Sequence, residues 1–296
     1  MKVFVVGSLN MDLVVRAPYM PENGVTISGE GFMTNPGGKG ANQAAAVGKL
    51  GGDVRMVGCV GEAFGDELKK TLSDYRVNVD NVEKLSGVSS GIAVIVVVDG
   101  DNRIILDAGA NGRITEALID KAFENASAGD YVITQLEVAT EIVEYALKKG
   151  KEKGMVTVLN PAPAKALPES IFAYCDYFVP NQSEAEFYTG IYPKDEGSAK
   201  KCALYLAKNG VKSVLITLGK EGSACIENGK YIKVNAEKVT AVDTTAAGDT
   251  YVGAFVTALC EGKTTEDAMK FASMASAITV TRAGAQRSIP WRDELK

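Results

Sequence analysis

The segment Ala241-Val242-Asp243-Thr244-Thr245-Ala246-Ala247-Gly248-Asp249-Thr250 runs into an apolar, helix-compatible stretch at 251–259. Small residues at such a junction let backbone N–H groups close on an anion, and the positive end of the helix favours its charge. The pattern is that of a phosphate cradle, although it matches no Walker A sequence. Asp249, at the start of the helix, reads first as a favourable cap. A second segment, Asn35-Pro36-Gly37-Gly38-Lys39-Gly40-Ala41-Asn42-Gln43, is a glycine-rich turn opening an alanine-rich helix. Lys39 is not followed by Ser or Thr, which removes a P-loop reading. Gly7-Ser8-Leu9-Asn10-Met11-Asp12 closes the first apolar run, where Asn and Asp commonly stabilise a turn. The chain has no histidine. Ser-His or Cys-His catalysis and His-ligated zinc are therefore excluded, and acid–base work falls to Asp, Glu, Lys, Cys or Tyr.

Short β-branched runs alternate with helical stretches and supply the elements that must position these residues. Residues 2–6, 54–57, 131–136, 156–159, 177–179 and 214–218 read as strands, and 41–50, 141–152 and 199–208 as helices. The rhythm implies an α/β fold with a mostly parallel sheet, helices on both faces and a ligand site beyond the carboxyl ends of the strands. Two stretches break it. Residues 25–33, and the pair 91–98 and 103–106 joined by Asp99-Gly100-Asp101-Asn102, read as antiparallel strands with a hairpin turn. They would form a small projecting sheet that serves as a dimer contact or as a lid excluding water from a ligand. Ile92 to Val98 are all apolar, too long a run for a sheet with one solvated face, so both faces call for cover.

The 296 residues, 46% hydrophobic, suffice for one large α/β domain or two unequal ones. A net charge of −5, with Lys and Arg scattered along the chain, argues against binding nucleic acid or an anionic membrane surface. The opening Met1-Lys2-Val3-Phe4-Val5-Val6-Gly7 is too short an apolar run for a signal peptide, and no run approaches the roughly 20 residues of a membrane helix. A cytoplasmic protein is expected. Five cysteines without a CxxC pair suit reduced, mostly buried thiols.

The 241–250 segment is similar to the C-terminal signature of the ribokinase-like, or PfkB, sugar kinases, and the 35–43 segment to their N-terminal signature. The resemblance spans essentially the whole chain. It implies a three-layer αβα domain over residues 1–296, with a small β-sheet lid from about 13–34 and 89–107. The activity it implies is transfer of a phosphoryl group from ATP to O5 of D-ribose. Asp249 would be the general base, and the amides of Ala246, Ala247, Gly248 and Asp249 the anion hole for the moving phosphoryl group. Asn10, Asp12, Gly38, Lys39, Asn42 and Glu137 would contact the sugar, so that carboxylates from three distant segments point to one pocket. Asn181 and Glu184, in an Asn-x-x-Glu motif, would organise the ATP phosphates and Mg²⁺; by the residues alone they read as a helix N-terminus. Thr217, Gly219, Gly222 and Gly248 would line the nucleotide site, with Ser273 near the adenine. Asp243, Thr245, Thr279, Arg282, Gly284 and Ser288 would surround a K⁺ that activates the enzyme. The lid would pair two subunits into a homodimer, with Ala93, Ile95 and Leu106 towards the sugar and Val94 and Val96 towards the partner. Another small-sugar or nucleoside kinase of the family is the nearest alternative. A catalytically silent sugar-binding protein on this fold is a second. An NAD(P) oxidoreductase is opposed by the lack of GxGxxG after the first strand.

Overall fold

Successive residues of Lys2-Val3-Phe4-Val5-Val6 are apolar because the strand they form is covered on both faces. Val3 and Val5 enter one buried cluster, Phe4 and Val6 another on the opposite side. The computed structural model describes residues 1–295. The chain begins with β1 (Lys2–Val6), β2 (Asn10–Arg16), β3 (Glu30–Gly37), α1 (Lys39–Lys49), β4 (Asp53–Val60), α2 (Gly65–Asp74) and β5 (Asn78–Lys84). It continues through β6 (Gly91–Val98), β7 (Asp101–Asp107), α3 (Glu116–Phe123), β8 (Tyr131–Thr134), α4 (Thr140–Glu152), β9 (Val156–Leu159) and β10 (Tyr177–Phe178). It ends with α5 (Gln182–Thr189), α6 (Glu196–Lys208), β11 (Ser213–Thr217), β12 (Ser223–Glu227), β13 (Lys230–Val234), α7 (Ala247–Cys260) and α8 (Thr265–Val280).

Nine strands form the large sheet in the order β13-β12-β11-β10-β9-β8-β1-β4-β5. Pairing is parallel from β5 to β11 and antiparallel at the β12 and β13 edge. Helices α1, α2, α7 and α8 pack on one face, and α3, α4 and α6 on the other. The fold is thus the three-layer α/β arrangement read from the sequence. Edge strands β12 and β13, and β5, were not in that reading.

A separate four-stranded sheet has the order β3-β2-β6-β7. The β6–β7 hairpin is antiparallel as expected, but its turn is only Asp99-Gly100, both at positive φ, and Asp101 and Asn102 belong to β7. Two readings are corrected. Residues 10–12 are not a turn but the start of β2, which lies parallel to β6. The strand placed at 25–33 is Glu30–Gly37: it forms where it can pair with β2, from Asn10↔Gly37 to Arg16↔Glu30, and residues 25–29 lie outside it. Pro36 is tolerated because β3 is an edge strand. The first two strands of this small sheet therefore lie between Asn10 and Gly37, where 13–34 was expected.

Candidate active site

Helices α1 and α7 approach closely because small residues face each other. A Cβ on Gly253 would lie 2.6 Å from Ala46 Cβ and 2.8 Å from the Gln43 carbonyl. One turn before Gly253, this contact brings Asp249 against the first turns of α1. Asn42 Nδ2 donates to Asp249 Oδ2 at 2.9 Å and Gln43 Nε2 to Asp249 Oδ1 at 3.0 Å. Both carboxylate oxygens are held, and Asp249 is buried.

The two helix N-termini at this site differ in how their amides are used. At α1, Gly38 takes φ +89°, which favours glycine, and turns the chain so that the following amides face inward. The Lys39 amide donates to Glu137 Oε2 at 3.0 Å, the Gly40 amide to Ser8 Oγ and the Ala41 amide to the Ser8 carbonyl. Glu137 thus caps α1 and also accepts from Ser8 Oγ at 2.6 Å and Asn10 Nδ2 at 3.4 Å. At α7, Ala246 is left-handed at φ +60° and provides no side-chain cap. The Ala247 amide reaches the Thr244 carbonyl, whereas no protein acceptor is found for the amides of Gly248 and Asp249 among the described residues. Two free amides at a positive helix end form a site for a negative charge.

On the strand side, Asp12 lies in one cross-strand row with Asn35, Ala93 and Leu106. Burial pushes its carboxyl up to about 7, and Glu137 and Asp249 nearby push the same way. Lys39 is held above the usual lysine range by Asp249 foremost, against burial, with Glu137 and Glu184 adding to it. Asp12, Lys39, Glu137 and Asp249, from β2, α1, the segment after β8 and α7, thus form one electrostatic cluster. Asn10 joins it through Glu137 and through Asn111 Nδ2, which donates to Asn10 Oδ1 at 2.7 Å. Asn42 Oδ1 is buried without a protein donor among the described residues. A buried acceptor left so costs about 1–3 kcal/mol, so the pocket offers it to a ligand hydroxyl.

Beyond the α7 N-terminus opens a cleft of about 1170 Å³, lined by Asn181, Thr217, Gly219, Gly222, Gly248 and Ser273 among others. Glu184 is absent from this wall: it closes a capping box with Asn181 on α5, its Oε2 accepting the Asn181 amide while Asn181 Oδ1 accepts the Glu184 amide. Burial raises the Glu184 carboxyl, against the Asn181 amide and Lys39, with Asp249 adding to the rise. Among the described residues no group of three or more His, Cys, Asp or Glu side chains is placed to hold a metal. A divalent ion here would be held chiefly by phosphate and water, with Glu184 beside it, which suits Mg²⁺, a cation reluctant to lose its water.

The loops at 243–246 and 279–288 meet at Asp243, whose Oδ1 accepts the Thr245 amide and Oδ2 the Gly284 amide, each at 2.9 Å. Against the upward push of burial, the Gly284 and Thr245 donors hold this carboxyl below its ordinary range. The hydroxyls of Thr279 and Ser288 donate to the Ala275 and Ala285 carbonyls, which leaves their oxygen lone pairs available, and the Arg282 guanidinium pairs with Glu294. What these residues offer a cation is carbonyl and hydroxyl oxygen, a donor set that fits a hard monovalent ion.

Gln43, Ser8, Asn111, Gln135 and Asn160 were not singled out from the sequence. Ser8, Gln43 and Gln135 lie inside segments already noted and Asn160 directly follows the 156–159 run, and their polar side chains beside apolar runs were the available signal. Nothing in the local sequence marks Asn111.

The family model for pfkB family carbohydrate kinases matches residues 1–292. The chain belongs to that family. The chain is 44% identical to a ribokinase of Schizosaccharomyces pombe over 97% of this chain and 94% of the relative. It is 38% identical to a Haemophilus influenzae ribokinase over 98% and 95% of the two chains. The structure of Arabidopsis thaliana ribokinase complexed with ribose and ATP superposes with a TM-score of 0.91 at 32% identity, covering 99% of this chain and 96% of that one. As a pfkB-family member the protein is a carbohydrate kinase.

Proposed function

We propose that this carbohydrate kinase transfers the γ-phosphoryl group of ATP to O5 of D-ribose. The observation that carries the reading is the placement of Asp249. Its carboxylate stands between the hydroxyl-binding cluster of Asn10, Asp12, Lys39, Asn42 and Glu137 and the free amides at the head of the cleft. Asp249 takes the proton from the sugar hydroxyl as its oxygen bonds to phosphorus, and the bond to the ADP oxygen breaks. The free amides of Gly248 and Asp249, with Ala246 and Ala247 shaping the turn, take up charge on the moving phosphoryl group. Lys39, held cationic by its acidic neighbours, adds to that stabilisation. Mg²⁺ bound with the nucleotide would neutralise phosphate oxygens beside Asn181 and Glu184. Thr217, Gly219, Gly222 and Ser273 hold the nucleotide.

A K⁺ held at Asp243, Thr245, Thr279, Arg282, Gly284 and Ser288 would keep the strained Ala246 turn in shape. A non-glycine residue in that conformation costs on the order of 1–3 kcal/mol and needs such support. The small sheet closes over the sugar and pairs with a second copy. Five free thiols and the scattered charge support a cytoplasmic enzyme, and no described helix is long and apolar enough to cross a membrane. ATP consumption across a panel of pentoses, hexoses and nucleosides, at fixed Mg²⁺ and ionic strength, tests the assignment. Ribose should give the highest kcat/KM, and K⁺ should raise the rate well above Na⁺. Preference for a nucleoside would overturn the substrate, and indifference to K⁺ would remove the cation site.

A further inference from the structure

Behind Asp249 lies a chain of buried amides whose direction is fixed from one end. The Val179 carbonyl can only accept, so Asn160 presents Nδ2 to it, at 2.8 Å. Asn160 Oδ1 therefore faces Gln43 and takes a hydrogen from Gln43 Nε2 at 3.0 Å. The second hydrogen of that nitrogen goes to Asp249 Oδ1 at 3.0 Å, and Gln43 Oε1 accepts from Gln135 Nε2 at 2.7 Å. Gln43 and Gln135 are fully buried, and Asn160 is nearly so. Turning the Gln43 amide over would set its oxygen against two other acceptors, Asn160 Oδ1 and Asp249 Oδ1, so only one orientation of Gln43 is satisfied. Val179 stands two residues before Asn181, at the strand end that faces the nucleotide cleft.

We infer that Gln43 is a positioning residue for phosphoryl transfer, locking the Asp249 carboxylate in one orientation with an acceptor position free for the sugar hydroxyl. The inference rests on Asp249 being the base. Asn42 holds the second oxygen, but it also lines the sugar pocket, so its orientation answers to the ligand. Gln43 is fully buried and answers to the protein backbone through Asn160. The base and the phosphate-facing end of the Val179–Asn181 segment are thereby tied through two amides, those of Gln43 and Asn160.

Two variants test this on the full-length protein, with kcat and KM for ribose measured by coupled assay, ribose affinity by calorimetry and folding by thermal melting. Gln43→Met fills the space and removes the donor. It should lower kcat by roughly 10- to 100-fold, by analogy with the range found for groups that orient metal-ligating side chains, with ribose affinity within threefold of the parent. Gln43→Glu keeps an acceptor for Gln135 but sets a second carboxyl against Asp249, and the two then share a proton. Its activity should recover as pH falls and a donor towards Asp249 is restored, giving a profile tilted to acid that the parent lacks. A folded Gln43→Met enzyme with kcat within threefold of the parent overturns the inference. So does a loss of kcat matched by an equal loss of ribose affinity. If Gln43→Met does not fold, a Gln43→Glu profile that superposes on the parent's overturns it instead. Failure of the parent to phosphorylate ribose would count against the substrate assignment, and an Asp249→Asn variant with parental kcat against the base; neither result resembles those of the Gln43 variants.

Discussion

The two sheets are built from similar β-branched residues and end up in opposite surroundings. In β1 every residue after Lys2 is fully buried, and the large sheet finds cover for both faces within the chain. In β7 every residue is exposed, with Ile104, Ile105 and Leu106 at 54%, 72% and 49%. The cross-strand neighbour of Ile105 is Val94, itself 41% exposed, and Phe32 lies open on β3. Runs that are core in one sheet are uncovered surface in the other, and contiguous exposed apolar surface of this kind marks an interaction site. The large sheet is complete as a folding unit. On the function proposed above, the small one takes a ligand on the face that carries Asp12, Ala93 and Leu106, and a second copy on the face that carries Val94 and Ile105. Loss of function should therefore take different forms in the two regions.

The largest effect belongs to the body of the molecule. Asp249→Asn should lower kcat by on the order of 10²–10⁴ while ribose binding stays measurable by calorimetry, because the amide keeps the shape but cannot take the proton. Near-parental turnover would remove Asp249 from that role. Next in size is a fold defect without a direct active-site cause. Phe4 is fully buried edge-on to Phe123 at 5.3 Å, and Phe4→Ala should cost about 3–5 kcal/mol. That corresponds to a fall in Tm on the order of 10 °C.

A double change in the small sheet, Val94→Asp with Ile105→Asp, should leave Tm within a few degrees of the parent, since exposed sites away from packing rarely cost much. Sedimentation should then show a monomer, with ribose affinity weakened by about 10-fold, 1.4 kcal/mol. Val96, half-buried, is the poorer probe of that face. A variant that remains dimeric with parental affinity, or one that unfolds, would erase the distinction between the sheets.

The contrast also explains what was legible in the sequence. The parallel strands and their helices carry their signal locally, as unbroken apolar runs between amphipathic stretches, and they appear close to where periodicity places them. The small sheet does not. Asn10-Met11-Asp12 looks like a turn and 25–29 like a strand because local propensity is all the sequence offers; the pairing of β2 between β3 and β6 decides otherwise. In the same way the two motif segments marked Asn42 and Asp249 separately. That Gln43 and Asn42 would grip both oxygens of Asp249 depends on the close α1–α7 contact at Gly253, which no local pattern records.

Asp12 sits at the seam between the two regions and yields the smallest and most specific effect. Its carboxyl is raised from 3.8 to about 7 by burial first, then by Glu137 and Asp249. Between those two values the folded protein holds a proton that the unfolded chain has lost, so stability falls as pH rises through that window and levels off above it. Asp12→Asn removes the titration. It should raise Tm at pH 8 by about 2–4 °C, the shift that ~1 kcal/mol produces in a domain of a few hundred residues, and leave Tm near pH 4 little changed. Ribose adds the opposite pull. Sugar hydroxyls donating to Asp12 favour its charged form, so ribose affinity in the parent should tighten from pH 6 to pH 8, with protons released on binding. Calorimetry in buffers of different ionisation enthalpy measures that release directly. Proton uptake on binding, or a parent Tm that rises between pH 5 and pH 7 while Asp12→Asn follows the same curve, would mean that Asp12 is already charged in the free protein and that the carboxylate cluster is more open to water than its burial implies.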